Sequence, residues 1–131
     1  MRRILLVAGI SMALAGCLSD KPQYVFQITP GDAEALAPFE TLPHETGLIV
    51  EGPFQAPCEQ ARFRESVREA RPNLTITMTA TGCTEDSTPQ AFRYRISWNG
   101  LDRGSYTLRI EHYGAHDTPD GVVYEETVVL P

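Results

Sequence analysis

The residues best suited to chemistry lie in HYGAHDTPDG, where His112, His116, Asp117 and Asp120 fall within one short stretch. Imidazole nitrogens and carboxylate oxygens ligate zinc and copper, so a divalent metal is what this stretch could hold. Pro119-Asp120-Gly121 is also turn chemistry, and His112 continues the alternating face of Tyr106, Leu108 and Ile110 to a strand end. The turn reading accounts for these residues more economically. No metal and no other cofactor is expected, and His112, His116 and Asp117 are the residues that would carry one. A small-ligand or metal-binding role for the His112–Asp120 loop is the alternative to the reading developed below.

Catalytic arrangements are sparser still. The chain has no Gly-x-Ser-x-Gly elbow, no His-Glu-x-x-His and no glycine-rich phosphate loop. Glu125 and Glu126 are neighbours in a strand-like run, so they point to opposite faces and cannot act as a pair. Arg62, Arg64, Arg68 and Arg71 interleave with Glu65 and Glu69, which reads as a solvated face laced with salt bridges. The protein is not expected to be an enzyme.

The N-terminus carries more specific information. Arg2 and Arg3 precede thirteen uncharged residues, Ile4 to Gly16. As a helix these rise about 20 Å, short of the ~30 Å hydrocarbon core of a bilayer. A basic start, a short apolar centre and small residues at its end describe a secretory signal peptide. Its last residues, Leu14-Ala15-Gly16-Cys17, resemble the lipobox of bacterial lipoproteins. The resemblance implies cleavage after Gly16 and acylation of Cys17, whose acyl chains would anchor the chain to a membrane. More than one chain is needed for stable anchoring. Leu18 follows Cys17 where an Asp would signal retention, so the resemblance implies the outer membrane of the cell envelope, on its periplasmic or surface side, rather than the inner one.

Loss of Arg2 and Arg3 with the signal leaves nine basic residues against 17 acidic ones, a net charge of −8. So acidic a chain is a poor match for nucleic acid or anionic lipid headgroups. The lipidation implied for Cys17 leaves Cys58 and Cys83 as an even pair in an oxidising compartment, where a disulfide is their natural state.

Period-2 alternation dominates the remainder. Leu74, Ile76, Met78 and Ala80 alternate with Thr75, Thr77, Thr79 and Thr81; Phe92, Tyr94, Ile96 and Trp98 alternate with Arg93, Arg95, Ser97 and Asn99. Tyr106, Leu108 and Ile110 behave likewise, and Leu48–Phe54 and Val122–Leu130 are further strand candidates, with Tyr24–Ile28 a weaker one. Such patterns require antiparallel strands with one packed and one wet face. The ambiguous segment is Cys58–Arg71, whose Glu, Arg and Ala content favours a helix. A hairpin turning at Arg71-Pro72-Asn73 would pair positions summing to about 142–145 and bring Cys58 and Cys83 together at its open end, within the ~7 Å that a disulfide allows. A strand is therefore expected there, with a short helix as the alternative.

Leu101, Gly104 and Tyr106, followed by an alternating strand, look like the tyrosine corner of immunoglobulin and fibronectin type III sandwiches. The likeness implies an Ig-like antiparallel β-sandwich of about seven strands over residues 46–131, with the Tyr106 hydroxyl bonded back to the corner backbone. Residues 1–16 are then a signal peptide, and 17–45 a lipidated cysteine, tether and lead-in in which Asp32 could cap a helical turn over Ala33–Ala37. The expected function is that of a non-catalytic, membrane-anchored structural or protein-interaction module. Its partners would be the membrane, through the N-terminal lipid, and a protein that the chain does not identify, but no nucleic acid.

Overall fold

The computed structural model describes residues 23–131. The expected signal peptide, Cys17 and the first part of the expected tether lie outside the described residues. Eight strands follow in order: β1 (Gln23–Gly31), β2 (Glu40–His44), β3 (Gly47–Ala56), β4 (Arg62–Ala70), β5 (Asn73–Thr81), β6 (Gln90–Asn99), β7 (Gly104–Tyr113) and β8 (Gly121–Leu130). They form two four-stranded sheets, sheet A in the order β1-β6-β3-β2 and sheet B in the order β4-β5-β7-β8. This is an all-β sandwich of eight strands among the described residues, six within residues 46–131, where about seven were expected, and two before them. Among the described residues no helix is long and apolar enough to cross a membrane.

The alternation read from sequence produces the layers directly. Leu74, Ile76 and Met78 of β5, Tyr94, Ile96 and Trp98 of β6, and Tyr106, Leu108 and Ile110 of β7 all turn inward and are buried. With Leu48, Val50 and Phe54 of β3 they fill the space between the sheets. Each large apolar side chain so buried contributes about 1.5–3 kcal/mol relative to exposure. The two open flanks of the sandwich are each closed by a hydroxyl donating to a carboxylate: Tyr24 of β1 to Glu65 of β4 at 3.2 Å, and Thr41 of β2 to Glu126 of β8 at 3.0 Å.

Two expectations need correction. Residues 23–44 are not a loosely packed lead-in. β1 pairs with β6 along its whole length and buries Tyr24, Phe26 and Ile28, because a four-stranded sheet B would otherwise leave that part of its partner layer uncovered. The sandwich is not wholly antiparallel, since β5 and β7 run parallel in the middle of sheet B. That follows from connectivity: the chain leaves β5, crosses to β6 in sheet A and returns as β7. Arg62–Ala70 is the strand expected of it and not the alternative helix, its partly buried Phe63 and Val67 packing against the core from one face.

The β4/β5 hairpin has a two-residue turn, Arg71-Pro72, and pairs Arg62 with Thr81 through to Ala70 with Asn73. Beyond its open end Cys58 and Cys83 form a disulfide with 5.5 Å between their Cα atoms. Asp32 caps a single 3-10 turn, Ala33–Leu36, by accepting from the Glu34 amide at 3.1 Å. Arg93 holds the segment after it, donating to the carbonyls of Ala37 at 2.6 Å and Pro38 at 3.2 Å. This places Phe39 over Gly52, where any Cβ would collide with the phenyl ring.

At the β6–β7 crossover the Tyr106 hydroxyl donates to the Asp102 carbonyl at 2.7 Å, and the Arg71 guanidinium lies 5.4 Å from the centre of the tyrosine ring. Arg71 also pairs with Asp102 at 3.0 Å and donates to the Arg103 carbonyl at 2.9 Å. The hairpin turn and the crossover are thus bolted together. Tyr106→Phe should keep the fold and lower the unfolding free energy by about 1 kcal/mol, the net contribution of one part-buried hydrogen bond, as read from urea titration. An unchanged midpoint would show that the hydroxyl adds nothing.

Candidate interaction surface

The residues singled out for metal chemistry do not converge. His112 is buried, its Nε2 2.8 Å from the Tyr94 hydroxyl, with Phe39 and Phe54 against its ring. Burial pushes its pKa down from 6.5 to about 4. His116 instead belongs to the loop after β7, paired with Asp117 at 3.2 Å and fixed by its amide to the Gln55 carbonyl at 2.8 Å. Asp120 accepts from the Gly114 amide at 2.9 Å, which is the turn role expected of it. Among the described residues no three His, Cys, Asp or Glu side chains stand close enough to hold a metal ion. Glu125 and Glu126 face opposite ways, the first to Arg109 and the second to Thr41 and Tyr124.

The arginine-rich segment is organised differently from the salt-laced face expected of it. β4 is a strand, so alternation sends Arg62, Arg64 and Arg68 to the solvent side and Glu65 and Glu69 to the other. Glu65 there takes the Tyr24 hydroxyl, and burial raises its pKa. Ion pairs among the described residues engage Arg71, Arg93, Arg95 and Arg109, but none of Arg62, Arg64 or Arg68.

Strand register carries these arginines onto a threonine-rich surface. Arg62, Arg64 and Arg68 stand opposite Thr81, Thr79 and Thr75 of β5, and Thr75, Thr77 and Thr79 stand beside Arg109, Glu111 and Tyr113 of β7. Arg68, Thr75 and Arg109 form one row across the sheet, its two arginines about 10 Å apart at the backbone. Arg109 pairs with Glu125 at 3.3 Å, and Glu111 accepts the Tyr113 hydroxyl at 2.6 Å. A depression of about 280 Å³ lies along this row, bounded by Arg68, Asn73, Thr75, Thr107, Arg109 and Glu125. Chemically it offers guanidinium and hydroxyl donors and no nucleophile with an adjacent base.

Fold and surface together define a disulfide-bonded β-sandwich with one donor-rich sheet face. No protein-family model, no curated protein and no solved structure matches the chain.

Proposed function

We propose that the protein is a non-catalytic binding module of the bacterial cell envelope, held to a membrane, in first place the outer one, by acyl chains on Cys17. The observation that carries the reading is how close in sequence β1 lies to Cys17. β1 begins at Gln23, six residues beyond Cys17, a link that spans about 20 Å when extended. Gln23 pairs with Asn99, next to the β6–β7 crossover, so a chain anchored at Cys17 holds the crossover and the Arg71-Pro72 turn towards the bilayer. The strands then run outward, with the disulfide and the His116 loop at the far end. So short a link presents the outer faces of both sheets sideways, where a partner can lie along them.

Detergent phase partitioning of the full chain expressed in a lipoprotein-processing bacterium tests the anchor. The wild type should enter the detergent phase nearly completely and Cys17→Ser the aqueous phase. Equal partitioning of the two, in either phase, would refute acylation at this residue.

A further inference from the structure

We propose that the outer face of sheet B binds an acidic polysaccharide, a polymer of sugars bearing one carboxylate each, along the β4–β5–β7 surface. This rests on the reading of the protein as a binding module and names the chemistry of its partner. The first ground is charge. In a chain of net charge −6, this face gathers Arg62, Arg64, Arg68 and Arg109 against Glu111 and Glu125, and both carboxylates are already engaged. Arg62, Arg64 and Arg68 have no ionic partner among the described residues. A guanidinium is a fork of donors suited to bidentate capture of a carboxylate.

The second ground is what surrounds the arginines. Thr75, Thr77, Thr79 and Thr107 supply hydroxyls that both donate and accept, matching sugar hydroxyls. None of the exposed large apolar residues, Val25, Leu36, Leu42, Val122 and Val129, lies on β4, β5 or β7. Protein partners gain most of their affinity from aromatic or aliphatic anchors seated in pockets; here the apolar exposure of the sheet is confined to Val122 and Val129 on β8, away from the arginines of β4, and Tyr113 turns its hydroxyl to Glu111. A hydroxylated polymer needs no such anchor.

The third ground is extent. Arg62 to Arg68 spans about 20 Å along the strand, with successive outward residues about 6.7 Å apart. A nucleic-acid strand carries a charge every ~3.4 Å, about twice as dense as the outward positions of this strand. A flat bilayer meeting the crossover end reaches Arg68 but not Arg62, because the strand runs away from it. A linear polymer laid along β4 meets every arginine in turn, its hydroxyls over the threonines of β5.

The test uses the full-length Cys17→Ser chain and polygalacturonate, titrated calorimetrically at low salt. Saturable binding is expected that weakens as salt is raised, because exposed charges are screened. Arg64→Gln/Arg68→Gln should weaken it about tenfold or more, since each charge-assisted bond contributes ~1.5 kcal/mol or above. Both arginines are exposed, so thermal unfolding of the double variant should stay close to that of the parent. Arg95→Gln, on the opposite sheet, should bind as the parent does. Dextran, neutral but equally hydroxylated, should not bind. Absence of polygalacturonate binding, an unchanged affinity in the double variant, or equal or tighter binding of polyglutamate or of anionic phospholipid vesicles would each overturn the proposal. Because the acceptor cysteine is removed, these outcomes are independent of the anchoring experiment.

Discussion

Loss of the Cys58–Cys83 bond is expected to lower the stability of the sandwich by about 3.5 kcal/mol, the chain entropy restored to the unfolded state when a loop of this size is opened. The bridged residues are 25 apart in sequence. Their position makes the loop consequential, since Cys58 follows β3 of sheet A and Cys83 follows β5 of sheet B. The bond therefore encloses the crossover from one sheet to the other together with the whole β4/β5 hairpin. β4 is an edge strand held in its sheet only by β5, and of its apolar side chains Phe63 and Val67 are only partly buried. Without the bridge β4 is held by its pairing with β5 and by the partly buried Phe63 and Val67. For a domain of this size the loss corresponds to a fall in midpoint of roughly 10–20 °C, a large share of a typical stability of about 5–15 kcal/mol. Thermal unfolding of the wild type with and without reductant, and of Cys58→Ala/Cys83→Ala, measures it. Coincident unfolding curves would show that hairpin and packing suffice alone.

The same hairpin shows where the sequence is legible and where it is not. Over Cys58–Arg71 the residue types favour a helix, and only the two cysteines, weighed against a turn at Arg71-Pro72, favour a strand. The observed register sums to 143 at every pair, inside the expected range, because a disulfide and a tight turn are geometric constraints and propensity is a weak one. Taking that strand seriously would also have separated Arg62, Arg64 and Arg68 from Glu65 and Glu69, since alternation places odd and even residues on opposite sides. The outward row of arginines was legible, but only once the period was settled. β2 was not, because its five residues include Pro43 and its position at a sheet edge is what tolerates a proline. The parallel β5–β7 pair leaves no local mark at all, as it joins strands separated by a whole excursion through sheet A. His112 was readable as a strand residue on the face of Tyr106. What hid its burial was Phe39, brought over the site by a proline-rich segment whose path depends on Arg93.

Acidification from pH 7 to pH 4 should cost the fold about 3 kcal/mol through His112 alone. Its imidazole is buried beside Tyr94, Phe39 and Phe54, none of which carries charge, so nothing repays the loss of solvent around an imidazolium. Burial accordingly lowers its pKa from 6.5 to about 4. Between those values the unfolded chain takes up a proton that the folded chain refuses. The stability is therefore fully present above pH 6.5 and is lost progressively as pH falls towards 4, at no more than about 1.4 kcal/mol per pH unit for one proton. Glu65 acts in the opposite sense: burial raises its carboxyl pKa, so its protonation favours the folded state as pH falls. The two contributions separate by substitution. In His112→Leu the acid-dependent loss over this window should shrink by about 3 kcal/mol relative to wild type, although the Tyr94 hydroxyl loses its partner and the variant starts from lower stability at pH 7. Urea midpoints taken at half-unit steps from pH 7.5 to pH 4 read the difference in slope. Parallel profiles for wild type and variant would mean that His112 titrates no differently in the folded chain than in the unfolded one, and that its aromatic enclosure admits enough water to hold the charge.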